Sequence, residues 1–271
     1  AVIKDCRHLI VKGVLQKMIR ARVDSLFGCK DTVSEARWTA CFELWWLRGF
    51  SDSSERAHIS ASAFRYDVLC VNNTSWFDSE GFPVLAYASL YNSKNVVSEL
   101  LQEIDQISNK HERVKCLVSR VPKKGLGSLG VTGGITALVI AMGFGNIEIV
   151  SLLLGHGADP YEHDVAGNDA PMMASIFGRT DNVKFWLEKF PDWDLERKNK
   201  VVGGVALGQA VYMGPRRLEL LKVLLEHGAC LDHLNDTGVS VLTSLCSNED
   251  ADPEVLELLL KTKIKTSVNY R

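Results

Sequence analysis

One pattern recurs five times between residues 81 and 260 and restricts the fold more than any other feature. A glycine (Gly81, Gly134, Gly167, Gly203, Gly238) is followed seven residues later by Ala88, Ala141, Ala174 and Ala210, with Leu245 in the last copy. Four residues further on, the first four copies place a turn former: Asn92, Gly145, Gly178 and Gly214. Each copy then ends on a paired apolar step: Leu100-Leu101, Leu153-Leu154, Trp186-Leu187, Leu224-Leu225 and Leu259-Leu260. From the second glycine onward the steps are 33, 36 and 35 residues. A period of this size belongs to stacked supersecondary units, none of which can bury its apolar face alone.

The clearest copy is residues 134–160, GITALVIAMGFGNIEIVSLLLGHGADP. Thr136 is placed to cap a first helix containing Ala137, Leu138 and Ala141. Gly145 is expected to end that helix in a left-handed conformation, which glycine adopts without steric cost. Ile147, Ile149, Val150, Leu153 and Leu154 then follow at helical spacing, Gly157 closes the second helix, and Asp164–Gly167 reads as a turn. This combination resembles the ankyrin repeat, through Gly134, Thr136, Ala137, Leu138, Ala141, Gly145, Leu153, Leu154, Gly157 and Ala158. The resemblance covers residues 78–260. It has departures: the copies read PVLA, TALV, DAPM, VALG and SVLT where the family has T-P-L-H, and the third copy ends in FPDWD.

The resemblance implies an all-α fold, a helical repeat solenoid with a helical N-terminal capping region. The expected organisation is residues 1–77 as the N-terminal region, 78–260 as five repeats, and 261–271 as a C-terminal tail. A basic, Gly-rich insert interrupts the array at about 102–133. In such an array the alanine column lets helices approach closely and the Leu pairs fill the space between copies. Lys261, Lys263 and Lys265 give the last copy a polar outer face.

Bulk properties exclude several classes. The net charge of −2 and pI near 6.4 provide no basic field for nucleic acid. Seven cysteines are scattered with no C-x-x-C pair, which argues against zinc ribbons and redox motifs and for thiols in a reducing, intracellular compartment. Apolar stretches stop short of the roughly 18 residues a membrane span needs. Residues 1–28 read as an amphipathic helix with a basic face (Lys4, Arg7, Lys12, Lys17, Arg20, Arg22). A capping box at Thr32 and Glu35 opens a helix carrying Trp38, Trp45 and Trp46.

Three constellations invite a chemical reading. The glycines separate by 53 residues between the first two copies, and the insert contains Gly125, Gly127 and Gly130 in G-x-G-x-x-G order. A dinucleotide site needs that motif between a strand and its helix, whereas here Val131-Thr132-Gly133-Gly134 intervenes. The insert is expected to be a flexible basic loop instead. His156 and His227 recur through repeat register and lie too far apart to share a metal. Glu162-His163-Asp164 clusters acid and base without a nucleophile to serve. No cofactor, metal or catalytic residue is therefore expected.

Binding residues are expected elsewhere. In ankyrin proteins the concave face is built from hairpin tips and the two residues before the turn glycine. Those residues here are Leu90, Tyr91, Phe144, Ile176, Phe177, Tyr212 and Met213, with Gly143 and the polar pair Ser247-Asn248, while Val165, Val201 and Val202 continue the apolar character towards the tips. The chain is read as a non-catalytic protein–protein interaction scaffold, a stable subunit of a larger assembly. A second reading is a regulatory or targeting module whose basic N-terminal helix docks peripherally on a membrane. A third is a nucleotide-binding enzyme using the Gly-rich insert.

Overall fold

A computed structural model of the chain describes residues 83–268, apart from 91, 93, 119, 122–132, 215–216 and 248–250. The expected N-terminal capping region, the Trp38–Trp46 helix, Gly81, Tyr91 and the Gly125–Gly130 motif lie outside the described residues.

The described chain alternates short helices: α1 (Val84–Leu90), α2 (Lys94–Asp105), α3 (Lys110–Leu117), α4 (Ala137–Phe144), α5 (Ile147–Gly155), α6 (Ala170–Ile176), α7 (Thr180–Lys189), α8 (Ala206–Met213), α9 (Leu218–Glu226), α10 (Val241–Cys246) and α11 (Pro253–Val268). All but α3 form antiparallel pairs. First helices α1, α4, α6, α8 and α10 pack in sequence order, and second helices α2, α5, α7, α9 and α11 do the same. Among the described residues, isolated bridges pair Arg120 with Thr136 and Leu234 with Ser240. No described helix is long and apolar enough to cross a membrane.

The recurring columns explain this stacking. Ala88, Ala141, Ala174, Ala210 and Leu245 are all fully buried, so small side chains set the spacing of the first-helix layer. Leu100, Leu153, Trp186, Leu224 and Leu259 are buried beneath the second helices. Each helix pair is short, and it persists because its neighbours cover it.

Polar groups tie one copy to the next. Asn182, itself buried, donates to the carbonyls of Ala141, Met142 and Gly145 in the preceding copy. Arg179 donates to the carbonyls of Gly143 and Phe144, and Arg217 to those of Ser175 and Ile176. These carbonyls are at the first-helix C-termini, where the last turn leaves acceptors unpaired and a cation is favourable. Burial lowers the pKa of Arg217, but a guanidinium keeps its charge. At the hairpin tips, Lys200 N–H donates to Ala166 O at 2.7 Å and Asp236 N–H to Val202 O at 2.9 Å.

Three expectations need correction. Thr136 stands at the N-cap of α4, but its hydroxyl makes no cap bond and its buried Oγ1 has no partner. Asn146, Asp169 and Ser240 do cap, accepting from Ile149, Met172 and Thr243 N–H. Gly145 has φ −82° and ψ −175°, an extended rather than left-handed conformation. Glycine is required there because a Cβ would lie 2.8 Å from Ala141 O. The insert is not wholly a loop: it contains α3, and Leu117 and Val121 join the core. Arg120 fastens its far end to the carbonyls of Gly134 and His163 and to the carboxylate of Glu162.

Asp169 gives the fold a pH signature. Burial raises its carboxyl pKa, although the Met172 N–H, Arg197 and Trp193 act in the opposite direction. The folded chain therefore holds the proton more tightly than the unfolded chain. The associated stability is full below the ordinary value of 3.8 and is lost as pH rises through the higher folded value. Asp169→Asn keeps an oxygen for the Met172 N–H and removes the buried charge. The variant is expected to gain in relative stability between acid and neutral pH. Urea midpoints at two pH values check this, and a wild-type-minus-variant difference that does not change with pH contradicts it.

Candidate functional site

The face formed by the first helices and hairpin tips carries the expected binding residues, and the structure divides them into two groups. Tyr212 is 71% exposed and Met213 50% at the end of α8, with Val165, Val201 and Val202 exposed on the tips. Leu90, Phe144, Ile176 and Phe177 are half-buried, and Leu90, Phe144 and Phe177 pack on the core. The Phe144 and Phe177 rings meet across copies with centroids 4.2 Å apart. Gly143 makes room for this contact, since a Cβ there would lie 2.9 Å from Phe177 Cδ2 and 3.0 Å from Met173 Cγ. The two phenylalanines therefore belong partly to the stacking, and substituting them with Asp would disturb the array as well as the surface. Tyr91 lies outside the described residues.

The tips are positioned by Asx turns. Asn199 Oδ1 accepts from the N–H groups of Val201, Val202 and Gly204, and Asn235 Oδ1 accepts from Thr237 and Val239. Asp164 Oδ1 accepts from Asn168 N–H at 2.7 Å. Asn199 also donates to Asn168 Oδ1, which links two hairpins. Such side chains replace backbone partners at turns, and here they orient Val165, Val201 and Val202 outward. The Glu162-His163-Asp164 cluster is used in the same way: Glu162 pairs with Arg120, and His163 Nδ1 lies 2.8 Å from Asp164 O.

Between α8 and α10 this face sinks into a recess of 240 Å³ whose walls include Val202, Val205, Tyr212, Val239 and Val241. His233 lies at its edge, with Nε2 2.9 Å from Gly203 O and Nδ1 3.3 Å from the Glu196 carboxylate. Sequence reasoning missed this recess. It also missed an aromatic cluster at the outer end of the third copy. There Tyr161 stacks on Trp193 at 5.3 Å and Trp193 meets the edge of Trp186 at 5.1 Å. The FPDWD departure was the signal for that cluster.

His156 and His227 have separate partners, the Asp105 carboxylate at 2.7 Å and Val223 O at 2.7 Å. Among the described residues no three His, Cys, Asp or Glu side chains gather as a metal site.

Residues 106–199 match the family model described as ankyrin repeats (3 copies). No curated protein matches the chain. Repeats of this family generally mediate protein–protein interaction and are generally non-enzymatic. The matched segment contains α4 to α7 with their turn glycines and hairpins, so residues 106–199 of the chain are ankyrin repeats.

Proposed function

We propose that the chain is a non-catalytic interaction scaffold, a stable subunit of a larger assembly that takes a protein partner on the concave side of the array. The observation that carries this is the exposed apolar strip of Tyr212, Met213, Val201 and Val202 beside the α8–α10 recess. A contiguous apolar patch rimmed by polar turns is characteristic of an interaction surface. Aromatic and Met side chains of this kind supply most of the energy when a partner desolvates them. The same proposal divides the chain into a capping region (1–77), an array (78–260) and a tail (261–271). It also assigns a reducing, intracellular compartment, and the free thiols of Cys230 and Cys246 are compatible with that.

Tyr212→Asp combined with Met213→Asp tests the reading. Both side chains face solvent, so stability should change by no more than about 0.5 kcal/mol per site. Binding to a partner that co-purifies at high salt should weaken by about 2 kcal/mol or more. Undiminished retention of that partner by the folded double variant contradicts the proposal.

A further inference from the structure

The recess between α8 and α10 is lined in part by Gly208, where open space stands in place of a side chain. Gly208 lies two positions before the alanine of its copy, where the first three copies place Ala86, Val139 and Met172, all buried. A Cβ built on Gly208 would approach only Val205 Cγ2, at 4.0 Å. The fourth copy therefore lacks the side chain that the first three copies bury at this position.

The walls determine what could enter. Val202, Val205, Val239, Val241 and Tyr212 are apolar, and no Asp, Glu, Lys or Arg lines the recess. The one titratable group besides Tyr212, His233, has both ring nitrogens beside acceptors of the protein. An ammonium or carboxylate entering here would lose its water and find no counter-charge, which disfavours it strongly. The 240 Å³ volume is smaller than the roughly 300–1,000 Å³ of sites for drug-sized ligands and suits one side chain. Gln209 and Ser244 at the rim offer an amide and a hydroxyl to the backbone on either side of that side chain.

We propose that this recess receives a single large uncharged side chain, aromatic or aliphatic, projecting from a segment of the protein partner. The proposal rests on the concave-face reading and specifies where the partner's anchor sits. Specificity follows from the walls: a partner with Phe or Leu at that position binds, and one with Lys or Asp does not.

The probe is N-acetyl-phenylalanine amide, titrated into the full chain and followed by amide proton–nitrogen correlation spectra. Saturable shifts are expected at Gly208, Val241 and Ser244. Gly208→Val fills the space and should weaken binding about tenfold or more, with Gly208→Ala intermediate. N-acetyl-lysine amide and N-acetyl-aspartate amide should leave those signals unmoved. The spectra also report folding, and if Gly208→Val unfolds, Gly208→Ala carries the comparison. The proposal is overturned by an absence of saturable shifts, by undiminished binding in the folded variants, or by equal binding of the charged probes. Such a failure leaves the concave-face reading standing if Tyr212→Asp with Met213→Asp still releases the partner. Retention of the partner by that double variant removes the reading itself.

Discussion

Trp186→Ala is expected to destabilise the chain by about 3–5 kcal/mol, the range for truncating a buried aromatic residue. Trp186 is fully buried in α7 and contacts the rings of Phe190 at 4.8 Å and Trp193 at 5.1 Å. Removing the indole empties the centre of the array, since α7 packs against α5 on one side and α9 on the other. Stability in a solenoid is close to a sum of neighbour interfaces, so loss of a central one should also uncouple the two ends. Urea unfolding followed by circular dichroism should show a lower midpoint and a broadened or split transition. Trp186→Leu installs the residue that the other copies hold at this position and should cost less. It leaves a smaller cavity and removes an indole N–H that has no partner in the fold. If the Leu variant proves as unstable as the Ala variant, ring packing rather than volume governs this site.

Gly167→Ala is expected to cost about 2–4 kcal/mol, and Gly238→Ala about 1–2 kcal/mol. Both glycines occupy the left-handed region, at φ +79° and +76°, so both substitutions incur the same backbone strain. They differ in surroundings. A Cβ on Gly167 would lie 3.0 Å from Lys200 N and 2.9 Å from Lys200 Cγ, whereas one on Gly238 meets nothing within 4 Å. Accommodating the methyl at Gly167 requires Lys200 to move, which breaks its hydrogen bond to Ala166 O between adjacent tips. Thermal or denaturant melts of the two variants measure the difference directly. Equal losses would mean that the tips do not stabilise each other, and that glycine recurs here for its dihedrals alone.

The helix pairs were legible in the sequence because their signals are local and repeated. The glycine at +70° in Gly134 and its counterparts at Gly167, Gly203 and Gly238, the alanine column and the Leu pairs each recur at fixed offsets, so one weak copy is corrected by its neighbours. The first helix expected to start at Thr136 begins at Ala137. What failed locally failed for physical reasons. Thr136 is an N-cap by position, but its backbone is bridged to Arg120 and its hydroxyl is left without a partner. Gly145 is a turn glycine, yet close approach to Ala141 O rather than a positive φ selects it. Arg179 and Arg217 gave little signal, because the carbonyls they satisfy belong to the preceding copy, 35–42 residues away.

The sequence by itself determined the period, the all-helical class and which columns form the core, since these follow from residue spacing within each copy and its recurrence along the chain. Only the tertiary structure decided which side chains near the turn glycines remain available to a partner. Phe144 and Phe177 occupy the same register as Met213, yet they pack together because Gly143 admits the neighbouring ring. In the last copy the matching position is Asn248, a residue type without a ring, and Tyr212 and Met213 stay in solvent. The recess beside them likewise arises only when Gly208 is stacked against the wall of the next copy. Exposure at one position of a repeat is set by the side chain that the adjacent repeat brings to the same layer, which is a contact between residues more than thirty positions apart.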